Sequence, residues 1–123
     1  SDGTIFAYTA TTAAYTYGAE WLQQMRSYVM ENVRTVDVFL KSYIPKIKVF
    51  QPQASFLVWL DCRDLNLTQN ELVYLFKDKA GLALNDGTMF GPGGEGFMRM
   101  NVGCSRVIIE QALKALKEAI GKK

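Results

Sequence analysis

A glycine-rich segment that runs into an alternating strand, residues 85–101, is the feature that most constrains this chain. Glycine lets the backbone turn sharply or approach a ligand closely. After the glycines, Phe97, Arg99 and Asn101 alternate with apolar residues, which is the period of a strand with two different faces. An arginine within a strand needs an anionic partner or water, and its planar fork fits a carboxylate through two parallel bonds. The segment therefore predicts a carboxylate-binding site at the edge of a sheet.

The composition limits the class of protein. The chain has 123 residues, of which 49% are hydrophobic and 21% charged, so it predicts one globular domain spanning residues 1–123. The net charge of +2, without a basic run, argues against nucleic-acid binding. No stretch approaches the ~20 apolar residues of a membrane helix, and no signal-peptide pattern opens the chain. We therefore expect no membrane partner and a cytoplasmic location.

Cysteine and histidine usage limits the possible chemistry. Cys62 and Cys104 are the only cysteines, and the chain has no histidine. Two cysteines in a chain with a full-sized core favour reduced, buried thiols over a disulfide. Without histidine the commonest general base and the commonest metal ligand are both missing, so we predict no metal site.

The apolar periodicities predict an α+β fold, with a small, mostly antiparallel sheet and helices on one face. A lead-in segment, residues 1–17, precedes a long connecting helix at 18–42 that is longer than a compact domain of this size needs. The segments that follow are strands at 47–50 and 55–62, a helix from a capping box at 68–71 to Gly81, strands at 82–84 and 97–103, and a helix from Ser105 to Gly121. We expect the Met98 face of the sheet to pack on the helices and the Arg99 face to point outward.

Residue chemistry alone leaves alternatives open at the glycine-rich segment. A phosphate-binding P-loop requires Gly-Lys-Ser/Thr at its end, and a dinucleotide fingerprint requires a helix after it. Here Phe97 and a strand follow the glycines, so the segment is neither a P-loop nor a dinucleotide fingerprint. Two interpretations remain equally open: a plain hairpin-like connection, or a loop that lines a ligand site. For Arg99, residue chemistry alone slightly favours a cross-strand salt bridge, for example with Asp61, over a ligand-binding role. We assign Trp21 and Trp59 to the core.

Three segments and the last helix carry a family resemblance. Residues 51–61, 81–91 and 93–101, with the helix after Ser105, resemble the C-terminal small domain of pyridoxal-phosphate enzymes of the aspartate aminotransferase fold (fold type I). The subgroup that they resemble most is the cystathionine β-lyase or C–S lyase type, whose members are often called aminotransferases. The resemblance covers nearly the whole chain, because residues 6–10 and 15–22 resemble the segment that leads out of the family's large domain.

The resemblance implies roles for individual residues. Arg99 matches the arginine that binds the substrate's α-carboxylate, while Phe90 and Gly91 match a loop at the site entrance and Asn101 lies one pleat away. The family's Schiff-base lysine, and the aspartate beside the pyridine nitrogen, belong to the large domain. The resemblance therefore implies neither a catalytic nor a cofactor-binding residue in this chain, and no pyridoxal phosphate bound to it alone.

The resemblance also implies an activity and partners. The longer enzyme would cleave a C–S bond of a sulfur amino acid by α,β-elimination, as a homodimer in which a large domain completes the site. A true aminotransferase is the alternative within the enzymes. From another class, a non-catalytic module that binds amino acids or proteins remains open, because this chain has no histidine base, metal site or Schiff-base motif.

Overall fold

The computed structural model describes residues 19–51, 56–82, 84–90 and 93–121, so the predicted lead-in segment lies outside it. It contains three α-helices, two 3₁₀ turns, one π-helical turn and four strands within these ranges. The helices are α1 Ala19–Tyr43, α2 Gln69–Tyr74 and α3 Arg106–Gly121, the 3₁₀ turns Arg63–Leu65 and Gly87–Phe90, and the π-helical turn Leu75–Lys79. The strands are β1 Lys48–Phe50, β2 Leu57–Asp61, β3 Asn85–Asp86 and β4 Phe97–Asn101.

The four strands form one antiparallel sheet in the order β1-β2-β4-β3. On β4, Arg99 lies between Trp59 of β2 and Asn85 of β3. The α+β prediction is therefore confirmed, whereas the position of Arg99 at a sheet edge is wrong. β3 is only two residues long, but it covers the part of β4 that carries the arginine and makes β4 an inner strand.

The helices cover one face of the sheet, and the core lies between them. Alternate residues of β2 and β4 are buried, as are one stripe of α1 and one stripe of α3, as the periodicities predict. The buried side chains that join these elements are Val29, Val36, Leu40, Val58, Leu60, Met98, Met100, Ile109, Leu113 and Leu116. The Met98 face therefore packs on the helices, and the Arg99 face points away from them.

A polar residue interrupts the buried stripe of α1. Asn32 is fully buried between Val29 and Val36, and its Nδ2 donates to the carbonyl oxygens of Val102 and Cys104, both at 2.9 Å. A buried amide is stable only when its hydrogen bonds are made. Asn32 therefore joins the long helix to the backbone that follows β4.

The capping box of α2 is present as predicted. The Thr68 N–H donates to Glu71 Oε1 at 2.8 Å, and the Glu71 N–H donates to Thr68 Oγ1 at 3.1 Å. The helix then widens into the π-helical turn and stops before Gly81, whose φ of 71° is left-handed. This backbone conformation explains why glycine stands at the helix end.

The predicted strand at 82–84 is wrong at Leu82 and Leu84, because the strand lies at Asn85–Asp86; residue 83 is outside the described residues. The Leu82 N–H donates to the Phe76 carbonyl at 2.8 Å and so belongs to the end of the helix rather than to a strand ladder. Leu82 and Leu84 pack against the core from an irregular segment. Their alternation reflects this packing and not a strand.

Two further predictions concern single side chains. Trp21 packs against the core, but Trp59 lies half-buried on the outward face, so its assignment to the core is wrong. Cys62 and Cys104 are both buried thiols, as predicted. Within the described parts of the chain, no helix combines the length and apolarity that crossing a membrane requires.

Candidate functional site

Arg99 lies in the middle of β4, on the face of the sheet that points away from the helices. Its side chain is half-buried, and its Nε atom is fully shielded from solvent. We call the side chains on this side of the sheet the outward face; from β1, β2 and β4 they are Lys48, Phe50, Leu57, Trp59, Asp61, Phe97, Arg99 and Asn101. The outward face therefore presents one central guanidinium among aromatic and polar neighbours.

Aromatic rings lie beside Arg99 on this face. Trp59 is the cross-strand neighbour of Arg99 and meets Phe97 edge to face, with ring centroids 6.5 Å apart. Phe50, on β1, is 52% exposed. Apolar surroundings lower the local dielectric, so a carboxylate that binds Arg99 here interacts more strongly than it would in open water.

A buried carboxylate, that of Asp61, lies on β2 two residues after Trp59, the cross-strand neighbour of Arg99. Asp61 accepts two bonds from the Arg63 side chain, Nε–Oδ1 at 2.9 Å and Nη2–Oδ2 at 2.8 Å, and a third from the Arg63 N–H. These bonds, led by those from the guanidinium, hold the pKa of Asp61 below its usual value. Arg63 also covers the Phe97 ring at 5.1 Å. The buried charge of Asp61 is thus balanced by Arg63.

The two ends of the glycine-rich loop, residues 87–96, meet at one side chain of α2. Gln69 Nε2 donates to Asp86 Oδ1 at 2.6 Å, and Gln69 Oε1 accepts the Gly96 N–H at 2.7 Å. Asp86 Oδ1 also accepts the N–H and the hydroxyl of Thr88, at 2.8 and 2.7 Å. We call these four residues the loop-end network. Burial raises the pKa of Asp86, but the bonds from Thr88 and Gln69 outweigh it, so the pKa lies below its usual value.

Backbone contacts within the loop explain two of its glycines. A Cβ on Gly94 would collide with the carbonyl group of Gly87, and a Cβ on Gly87 would lie 2.6 Å from the Gly94 oxygen. Gly96 has a left-handed φ of 84°, and its carbonyl accepts the Cys62 N–H at 2.7 Å. The glycines are therefore required by close packing of the loop on itself and on the end of β2.

The structure describes the other predicted site residues in less detail than Arg99. Phe90 ends the 3₁₀ turn that follows β3, and Gly91 lies outside the described residues. Asn101 lies two residues after Arg99 on the same face, and its Oδ1 accepts the Gly103 N–H at 2.7 Å. The sequence did not predict that Gln69 contacts the glycine-rich loop; it lies within the capping-box segment at 68–71.

The lysine that β1 places on the outward face does not suit covalent cofactor binding. Lys48 Nζ lies 2.8 Å from Asp64 Oδ2, and this hydrogen bond, with the charge of Asp64, raises the pKa of Lys48. A Schiff-base lysine must lose its proton easily, so a raised pKa makes Lys48 less suited to that role. No group of three Cys, Asp or Glu side chains in the described ranges could hold a metal ion.

Comparison with known proteins identifies the relatives of this chain. No protein-family model matches it. It is 41% identical over 115 residues to the cystathionine β-lyase PatB of Bacillus subtilis and 34% identical over 120 residues to the protein MalY of Escherichia coli. These matches cover 94% and 98% of this chain but only 30% and 31% of the relatives.

A solved structure gives the same result. Cystalysin from Treponema denticola, which contains pyridoxal 5′-phosphate, matches with a TM-score of 0.81 and 28% identity, over 87% of this chain and 27% of its own. The resemblance seen in the sequence is thus confirmed. The chain is a homologue of cystathionine β-lyases and related pyridoxal-phosphate enzymes, and it spans about 30% of the length of the curated relatives it matches.

Proposed function

We propose that this chain is the C-terminal small domain, residues 1–123, of a pyridoxal-phosphate-dependent C–S lyase, and that Arg99 binds the α-carboxylate of its sulfur amino-acid substrate. The observation that carries the proposal is the half-buried arginine at the centre of the outward face. The similarity to PatB supports it, since that relative is a cystathionine β-lyase.

Arg99 performs the positioning part of the reaction in this proposal. Its guanidinium donates two parallel bonds to the substrate carboxylate, which fix both the position and the rotation of the amino acid. The strands on either side of β4 hold the arginine backbone in place, so little reorganisation accompanies binding. Trp59 and Phe97 limit the water around the ion pair and so strengthen it.

Other residues contribute less in this proposal. We assign Phe90 and Gly91 to the entrance of the site on the strength of the resemblance, and Asn101 supports the carboxylate from the same face as Arg99. The cofactor is held by the longer protein, because the resemblance assigns the Schiff-base lysine to the large domain. When bound, pyridoxal phosphate withdraws electrons from the α-carbon of the amino acid. The partners are the large domain of the same polypeptide and a second subunit of a homodimer, in the cytoplasm.

The test is to produce the chain together with the sequence encoded before Ser1, and to compare this longer protein with the 123-residue chain. We expect the longer protein to be yellow with bound cofactor and to release pyruvate from cystathionine, and the shorter chain to do neither. A longer protein that binds no cofactor contradicts the proposal. Amino transfer to a keto acid without pyruvate release identifies the aminotransferase alternative. Binding of an amino acid by the 123-residue chain, lost in Arg99→Ala, identifies the non-catalytic module.

A further inference from the structure

We infer that Gln69 is a positioning residue whose amide ties both ends of the glycine-rich loop to the first turn of α2, and so fixes the strand residues that flank Arg99. The inference rests on the proposed function for the part that concerns substrate. Its structural part rests on the loop-end network alone.

The amide of Gln69 matches its two partners in only one orientation. Asp86 offers a carboxylate oxygen, which can only accept, and Gly96 offers an N–H, which can only donate. The Nε2 group therefore faces Asp86 and the Oε1 atom faces Gly96. Glutamate has the same size, but when it is ionised it carries two acceptor oxygens and no donor. It could accept the Gly96 N–H but could not donate to Asp86.

The network lies next to the strand residues that position Arg99. Asp86 pairs with Met98 in the register of β3 and β4, and Asn85, which precedes it, pairs with Arg99. Gly96 is the last residue before β4, and its carbonyl also receives the Cys62 N–H at the end of β2. Movement of either loop end is therefore transmitted directly to the residues that flank Arg99.

The charged groups around Gln69 decide how it should be tested. Asp86 is the nearest carboxylate, at 2.6 Å, and Glu71 of the same helix is engaged in the capping box. Gln69→Glu places a second carboxylate against Asp86, which opens the bond at neutral pH by repulsion. Asn70→Asp is the matched control, because it adds the same charge to the same helical turn from an exposed side chain.

The first measurement is amide hydrogen exchange on the 123-residue chain. In Gln69→Glu at pH 8 we expect Gly96 and Thr88 to lose about ten- to a hundredfold of their protection, the size of a lost charge-assisted bond. Protection should return at an acid pH at which the two carboxylates share a proton. Asn70→Asp should match the native chain at both pH values. Equal protection in Gln69→Glu and the native chain, or loss spread over the whole chain, overturns the inference.

The second measurement uses the longer protein with its cofactor. We expect Gln69→Glu to raise KM for the sulfur amino acid about tenfold at pH 8, with kcat within about twofold, because binding geometry is lost while the reacting groups remain. Asn70→Asp should leave both unchanged. An unchanged KM overturns the role toward substrate. If the longer protein is inactive, the proposed function fails while hydrogen exchange still decides the role of Gln69 in the loop.

Discussion

The Nε atom of Arg106 donates a hydrogen bond to Oδ1 of Asn32 over 3.0 Å, between residues 74 positions apart. The N–H of Arg106 also donates to the hydroxyl of Tyr28 at 2.9 Å, and its guanidinium lies 4.7 Å from the Tyr28 ring centroid. The middle of α1 is thus joined to the first turn of α3 by polar contacts as well as by the core. The position of α1 is therefore set by specific directional bonds.

Replacing Asn32 should destabilise the chain strongly. Asn32→Ala leaves the carbonyl groups of Val102 and Cys104 and the Nε of Arg106 without the bonds that they make here, at a cost of about 3 kcal/mol in the free energy of unfolding. Urea denaturation followed by circular dichroism measures this. Asn70→Ala, at an exposed position, is the control and should change stability by less than about 0.5 kcal/mol. Equal effects at the two positions would contradict the role given to Asn32.

Gly94→Ala should disturb the glycine-rich loop. Its new Cβ would meet the Gly87 carbonyl, a backbone group that can yield only if the loop moves. We expect a loss of about 2 kcal/mol in unfolding free energy, as for other overpacked sites. Gly121→Ala is the comparison, because its Cβ meets open space at the end of α3, and it should be neutral. Thermal unfolding of both variants distinguishes a packing effect from a general effect of replacing glycine.

Arg99→Lys should weaken substrate binding in the longer protein although the charge is kept. Lysine cannot present the two parallel donors of a guanidinium, so we expect kcat/KM for the sulfur amino acid to fall about tenfold to a hundredfold. Arg63→Lys provides the same substitution at a second arginine near the outward face, and should change kcat/KM by less than about threefold. Steady-state kinetics of both variants decide this. A larger effect at Arg63 would show that Arg63, and not Arg99, binds the substrate carboxylate.

Cys62 should be inert in the folded chain. Burial raises the pKa of its thiol to about 12, and alkylation requires the thiolate. At pH 8 we expect iodoacetamide to modify Cys62 at least about a hundredfold more slowly in the native chain than in urea. Mass spectrometry of timed samples gives both rates. Rapid modification of Cys62 under native conditions would mean that the end of β2 opens far more often than its packing implies.

The Asp61–Arg63 pair should make stability depend on acid pH. Because the pKa of Asp61 is lower in the folded chain, its contribution is present above the usual aspartate value near 4 and is lost as the pH falls through the folded-state value. Since Arg63 is 62% exposed, we expect the contribution to be no more than about 1 kcal/mol. Urea unfolding between pH 2 and 7 should show a shallower acid dependence in Asp61→Asn.

Asp64→Asn serves as the comparison for this pH dependence. Its carboxylate is 63% exposed and pairs with Lys48 at the surface. We expect it to alter the acid dependence less than Asp61→Asn does, since exposed pairs contribute little. The reverse order would contradict the importance of burial for the Asp61 pair.

The sequence predicted the elements whose signals are local. The capping box of α2, the Ser105 start of α3 and the alternation around Arg99 each depend on neighbouring residues, and each is present. The predicted position of the third strand and the assignment of Trp59 to the core were wrong, because both depend on pairing partners distant in the chain.

Long-range polar contacts were the least predictable. Asn32 gave a signal that could have been used, since a polar residue stands at a buried position of an apolar stripe. Gln69 gave none, because an exposed-looking residue in the first turn of a helix does not reveal that its amide reaches residues 17 and 27 positions later. The role of Arg99 was inferred from resemblance, and no contact in the structure tests it.

β4 is flanked by β2 on one side and by β3 on the other, with Arg99 inside both ladders. Sliding such a strand by one position would exchange its apolar and polar faces, so its register is fixed. In the function that we propose, the guanidinium would adapt to different substrates by rotating its own side-chain bonds. Divergence in substrate range among related proteins would then arise in the loops and domains that enclose this arginine, while the strand that bears it stays the same.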